Sequence, residues 1–178
     1  MKFPIHNLDT APAAAKEILN GSAKAFGFVP NLLGVMAEAP ALLKAYTTLS
    51  RIFEEASLSA AERQVVLIAA SYENQCEYCV VAHSAIAAMQ QVPADAVCAI
   101  RDAEAIPDTR LETLRRFTAA VVASHGWPTE TDTKIFLAAG YGQQQILEVV
   151  LGVGLKTLSN YTNHIAETPL DEAFTKAG

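Results

Sequence analysis

Six consecutive residues, Val65-Val66-Leu67-Ile68-Ala69-Ala70, are apolar on every side. Such a segment has no face to offer water, so it belongs at the centre of a fold. Periodicity alone leaves it open between a buried strand and a buried helix. The residues before it favour the helix. Ser59 is followed three positions later by Glu62, the pattern of a reciprocal capping box at a helix start. The rest of the chain agrees. Of 178 residues 32 are alanine, and valine and isoleucine never alternate cleanly with polar residues. Both traits favour helices over strands.

The expected fold class is therefore all-α: a single compact helical domain of about seven to eight helices over residues 1–178. Helices are predicted from Ala11 to Phe26 with Pro12 in the first turn, from a cap at Asn31, and from Pro40 to Phe53. A helix is predicted over Cys76–Met89, and the longest over Gln143–Ile165, followed by a less regular tail from Glu167. A faint internal echo, in which a small-residue helix carries His83 in one half and His164 in the other, would suit two related halves.

At 51% apolar and 18% charged, the chain can bury a core. The net charge of −6, with no basic block, gives no electrostatic footprint for nucleic acid. No stretch approaches the roughly 18 uninterrupted apolar residues of a membrane span. The start Met1-Lys2-Phe3-Pro4 lacks a long apolar core of the secretory type, so the cytoplasm, where thiols stay reduced, is the expected location. Three cysteines there make no disulfide framework; the informative feature is the pair Cys76 and Cys79.

On a helix, Cys76, Cys79 and His83 share one stripe. Two sulfurs three residues apart can close a disulfide of the thioredoxin type. Cys76 sits at the helix start, where free N–H groups favour a thiolate by about 1 kcal/mol. Cys79 lies one turn from His83, whose imidazole can accept the thiol proton directly, which favours Cys79 as the attacking sulfur. Reduction of an oxidant at such a site needs a thiolate, a second thiol to resolve the oxidised product, and a proton carrier. Two small buried residues, or a zinc site, are the plainer readings. One helix offers only three of the four ligands that structural zinc takes, so no metal is expected.

The run Leu58-Ser59-Ala60-Ala61-Glu62-Arg63-Gln64-Val65-Val66-Leu67, followed by Glu73-Asn74-Gln75-Cys76-Glu77-Tyr78-Cys79-Val80-Val81-Ala82-His83-Ser84, resembles the alkylhydroperoxidase D-like, carboxymuconolactone decarboxylase superfamily. Within it the chain is similar to the branch of peroxidase-related proteins. Phe26-Gly27-Phe28-Val29-Pro30-Asn31-Leu32-Leu33 and Asn160-Tyr161-Thr162-Asn163-His164 share that similarity, which spans roughly residues 20 to 170. The resemblance implies an all-α fold, a homo-oligomer such as a trimer or hexamer, and thiol-dependent reduction of hydroperoxides. It implies no metal, flavin or haem cofactor. The dithiol reductant it suggests is a lipoyl protein or a peroxiredoxin-type partner.

Cys76, Cys79 and His83 match the redox cysteines and relay histidine of the family. Its antioxidant members also carry a glutamate twelve residues before the first cysteine, where this chain has Gln64, and a histidine between the cysteines, where it has Tyr78. An amide takes up no proton at neutral pH. Glu73, three before Cys76, is the candidate replacement in the relay, whereas Glu62 faces elsewhere and caps. His164, beside Asn160 and Asn163, is either an interface histidine or a contribution to a site from a neighbouring half or subunit. Tyr72 and Tyr78 flank the motif as pocket or core residues, and Cys98 reads as a small buried hydrophobe. Two rival functions remain: a non-catalytic redox sensor or assembly protein, and a decarboxylase of the carboxymuconolactone type, which would not need the cysteine pair.

Overall fold

The computed structural model describes residues 2–175, and among them the secondary structure is entirely helical. The helices are α1 (Ala13–Phe26), α2 (Asn31–Met36), α3 (Pro40–Glu54), α4 (Ala60–Glu73) and α5 (Glu77–Met89). They continue with α6 (Ala94–Arg101), α7 (Thr109–Ala123), α8 (Glu130–Ala138), α9 (Gln143–Ala166) and α10 (Glu172–Thr175). Ten helices among the described residues exceed the expected seven to eight. The excess lies partly in short pieces: α2 has six residues and α10 only four. α2 follows the helix expected from Asn31, whereas α10, in the tail expected to be less regular, is too brief for an amphipathic pattern to register.

The apolar run does form the central helix. The capping box is complete: the Glu62 N–H donates to Ser59 Oγ at 3.3 Å, and the Ser59 N–H donates to Glu62 Oε2 at 2.8 Å. A cap of this kind contributes about 1 kcal/mol. From that start α4 packs on α5, α7 and α9, and Val65, Val66 and Ile68 are fully buried. Asn31 is the first residue of α2 and Pro30 takes the cap position, one residue earlier than the sequence suggests.

Two apolar clusters divide the interior. One joins α4 to α6, α7, α8 and α9 and contains a stack of three rings. The centroids of Phe117 and Phe136 are 4.2 Å apart, and those of Phe136 and Tyr141 4.5 Å. The other gathers Leu19, Leu32, Met36, Leu43 and Phe174 around Cys76 and Cys79. α9 contributes apolar residues to the first cluster and meets the cysteines of the second through Asn163. At Gly152 it approaches so closely that an added Cβ would lie 2.7 Å from Val66 Cγ1 and 2.9 Å from Phe53 Cζ. That contact fixes α9 against α3 and α4, and so sets the height at which its later residues face α5.

Candidate active site

The two cysteines sit where α4 ends and α5 begins. The Cys76 N–H donates to the Ser71 carbonyl at 2.9 Å, and the Gln75 N–H to the Tyr72 carbonyl at 2.9 Å. This is the bond pattern of a Schellman helix end. Gln75 occupies its left-handed position with φ 57°. That conformation costs a residue bearing a Cβ about 1–2 kcal/mol. It turns the chain so that Cys76 becomes the N-cap of α5, one residue outside the predicted helix start. Asn160 of α9 holds the turn, accepting from Asn74 Nδ2 at 2.9 Å.

Both sulfurs point to α9. Asn163 Nδ2 donates to Cys79 Sγ at 3.3 Å and to Cys76 Sγ at 3.7 Å. One amide nitrogen therefore touches both thiols, so they face each other rather than diverge. Ser159 Oγ lies 3.7 Å from Cys79 Sγ. Lys156, Ser159, Asn160 and Asn163 form a buried polar stripe along α9 at the i, i+3, i+4, i+7 spacing. Lys156 is 0% exposed, and its Nζ completes no hydrogen bond of ordinary length and angle among the described residues. It lies near enough to Cys79 for charge interaction.

The two thiols separate in acidity. Cys79 is held well below the ordinary thiol range, first by the Cys76 thiol hydrogen bond, then by Lys156 and Ser159, against the opposing effect of burial. Cys76 is pushed up, first by donating to Cys79 and then by burial. The opposite shifts favour a dithiol that keeps its proton on Cys76 and places negative charge on Cys79. Burial works against the Lys156 ammonium, but the charge on Cys79 and the neighbouring Tyr46 phenol outweigh it and raise its affinity for a proton.

His83 does not bond the cysteine that its spacing suggested. Its Nδ1 bonds Gln64 Oε1 at 3.1 Å, and it makes no hydrogen bond to either thiol among the described residues. The ring leans toward α4 while Cys79 leans toward α9. Desolvation, followed by the Lys156 charge, holds the imidazole well below its usual range, so it is neutral. Gln64 Nε2 donates to Gln90 Oε1 at 3.1 Å, which leaves Oε1 as the acceptor for the ring. The imidazole therefore carries its proton on Nδ1 and leaves Nε2 bare. Gln64, where the antioxidant members of the family it resembles carry glutamate, faces the histidine as an amide.

Glu73, the expected relay acid, is the last residue of α4. It stands with Cys76 on the wall of a cleft of about 610 Å³, and Arg115 is the cation it interacts with. Tyr72, Gln75, Glu77, Val80, Val81 and Arg101 line the rest of that cleft. Cys76 lines it, while Cys79 lies behind at 1% exposure. Glu62 caps, as expected, and also pairs with Arg110 at 3.2 Å. Tyr78 is a strut: its hydroxyl donates to Asp171 at 2.5 Å and accepts the Leu32 N–H at 3.2 Å. His164 is exposed in the last turn of α9, beside Tyr161. Cys98, expected to be buried, is exposed on α6. Among the described residues no three histidine, cysteine or acidic side chains cluster to hold a metal ion. A second cleft of about 360 Å³, apolar and lined by α2, α3 and α9, contains neither cysteine of the pair.

Lys156, Ser159 and Tyr46 escaped the sequence reading, and Asn160 and Asn163 were seen only as neighbours of His164. In sequence these residues stand among other polar side chains of α9, such as Thr157 and Thr162, so no contrast marks the stripe as buried.

Residues 40–122 match the carboxymuconolactone decarboxylase family. No protein of curated function matches the chain by sequence. Similar solved structures include the alkylhydroperoxidase AhpD core of an uncharacterized peroxidase-related protein from Ralstonia eutropha JMP134. Its TM-score is 0.85 at 22% identity, over 97% of this chain and 93% of that one. A peroxidase-related protein from Silicibacter sp. TM1040 gives 0.83 at 20% identity, over 98% and 92%. A cysteine-to-alanine variant of the debrominase Bmp8, in complex with 2,3,4-tribromopyrrole, gives 0.82 at 16%, over 99% and 95%. The stretch that matches the carboxymuconolactone decarboxylase family carries both cysteines, and the chain shares the fold of these solved structures over nearly its whole length.

Proposed function

We propose that the protein is a thiol-dependent peroxidase, an oxidoreductase that reduces hydroperoxides through the Cys76–Cys79 dithiol. The observation that carries this reading is the single Asn163 amide in contact with both sulfurs, whose acidities are shifted in opposite directions. Cys79 attacks the peroxide oxygen, becoming a sulfenic acid as the alkoxide leaves. Cys76 then condenses with the sulfenic acid to give the disulfide and water. His83, neutral and bare at Nε2, carries the Cys76 proton to the departing hydroxide. Glu73, on the cleft wall, takes part in returning protons from solvent. An external dithiol closes the cycle, and a lipoyl or peroxiredoxin-type protein has suitable chemistry. A reducing compartment such as the cytoplasm suits this cycle; no helix among the described residues is long and apolar enough to cross a membrane. Leu147, Val150, Tyr161 and Ile165 are exposed along α9, a face that suits assembly into a trimer or hexamer.

Hydroperoxide consumption in excess dihydrolipoamide tests the reading. A peroxidase consumes many equivalents per subunit; a redox sensor stops near one, and that result would refute catalysis. Cys76→Ser and Cys79→Ser each abolish turnover, while Cys98→Ser preserves it. Full activity in Cys79→Ser would remove it as the attacking thiol, and wild-type kinetics in Glu73→Gln would remove Glu73 from the relay.

A further inference from the structure

A buried ammonium without an anion is destabilised by several kcal/mol. Lys156 is fully buried with an unpartnered Nζ, so what faces it matters. From α3 it meets Tyr46, and from α5 it meets Cys79, Cys76 and His83. α2 carries no titratable side chain. The acids of α4 and α7 are otherwise engaged: Glu62 with Arg110, Glu112 with Arg115 at 2.6 Å, and Glu73 near Arg115. Burial keeps the Tyr46 phenol protonated and His83 is neutral. Cys79 is therefore the anion of this ammonium, and oxidation to the disulfide removes it.

We propose that Lys156 is the acid of the peroxide step, a cation in the dithiol state and a neutral amine in the disulfide state. This rests on the peroxidase reading above. The Cys79 thiolate attacks ROOH, the O–O bond breaks, and the products are Cys79 sulfenic acid and RO⁻. The Lys156 ammonium gives its proton to RO⁻, yielding ROH and the amine. The sulfenic acid and the Cys76 thiol then form the S–S bond and release water. Sulfur loses two electrons, the peroxide gains them, and the site is neutral before and after. An alkoxide or hydroxide, whose conjugate acid has a pKa near 15.7 in the case of water, is a far stronger base than an amine. The transfer is downhill, and the amine left behind needs no counter-ion. Reduction by an external dithiol returns two protons: one to Cys76 and one to Lys156.

Proton counting tests this without any peroxide. The protein is equilibrated with dithiothreitol between about pH 6 and 7.5, below the ordinary thiol range of about 8.5. Ultraviolet absorbance reports whether the reduced protein holds a thiolate. The expected result is a thiolate throughout, together with an equilibrium constant independent of pH, because both couples exchange two protons per two electrons. A thiolate with a constant that changes tenfold per pH unit would mean that Lys156 keeps its proton in the disulfide, and overturns the proposal. Absence of a thiolate overturns it as well. Lys156→Arg separates the two roles, since a guanidinium supplies charge but no proton. It is expected to retain the thiolate yet react with hydroperoxide at least about a hundredfold more slowly, the usual scale of acid catalysis. Wild-type peroxide reactivity in Lys156→Arg refutes the assignment. If that variant does not fold, the wild-type proton count still decides. A wild-type protein that fails to turn over peroxide would instead sink the peroxidase reading, which the proton count does not depend on.

Discussion

Replacing Gln64 by glutamate places a carboxylate at the position that hydrogen-bonds the imidazole. The two side chains have the same shape, and Gln64 Oε1 already lies 3.1 Å from His83 Nδ1. The change is therefore one of charge. Two unit charges about 4 Å apart at an effective dielectric of about 20 attract by about 4 kcal/mol. Gln64 is buried, so much of that gain is offset by desolvation of the new carboxylate. A charge-assisted hydrogen bond retains about 1.5–3 kcal/mol, which raises the His83 pKa by about 1–2 units. The direction is opposite to the native arrangement, in which burial and Lys156 hold the ring neutral. Titration of the His83 ring protons by nuclear magnetic resonance, in the wild type and in Gln64→Glu, reads the shift directly. The wild-type ring should stay neutral throughout the physiological range, with its proton on Nδ1. The variant should titrate higher, and its peroxide rate should fall on the acid side, where the ring is charged and no longer accepts the Cys76 proton. A wild-type His83 that titrates at or above the ordinary 6.5, or a variant whose midpoint does not move, would refute the assigned hydrogen bond and tautomer.

Two other substitutions test the scaffold around the site. Tyr78→Phe deletes a buried hydrogen bond to Asp171, leaves the Leu32 N–H without its acceptor, and should lower unfolding stability by about 1.5–3 kcal/mol in denaturant titration. A relay role for Tyr78 would instead show as lost turnover with unchanged stability. Gly152→Ala forces a methyl group against Val66 and Phe53, and overpacking of this kind should cost about 1–3 kcal/mol, or roughly 2–12 °C in Tm, read by calorimetry.

Some of this architecture is legible in sequence because it depends on local spacing. Ser59 and Glu62 define a helix start through contacts three residues apart, and the structure has them. The cysteine pair and its helix follow from the same kind of short-range pattern. What escaped depends on which helix lies opposite. Nothing near position 156 in sequence indicates that its lysine is buried against a thiolate on α5, about eighty residues earlier. The direction of the His83 ring also depends on packing between α4 and α5: spacing gave it Cys79, and the fold gave it Gln64. Tyr78, which stands between the cysteines where the antioxidant proteins it resembles carry histidine, is tied to Asp171, more than ninety residues later. Gln75, with no glycine to mark its left-handed turn, hid the one-residue offset that makes Cys76 a cap rather than a helical residue.

The central claim is that the reduced site holds one proton and one negative charge across two sulfurs, with the charge on Cys79. Counting thiolates by ultraviolet absorbance from acid to alkaline pH measures it most directly, in the wild type and in the Cys79→Ser and Cys76→Ser variants. One thiolate per chain at neutral pH, absent from Cys79→Ser and present in Cys76→Ser, is the expected result. No thiolate below the ordinary thiol range, or one that survives in Cys79→Ser, would contradict the account.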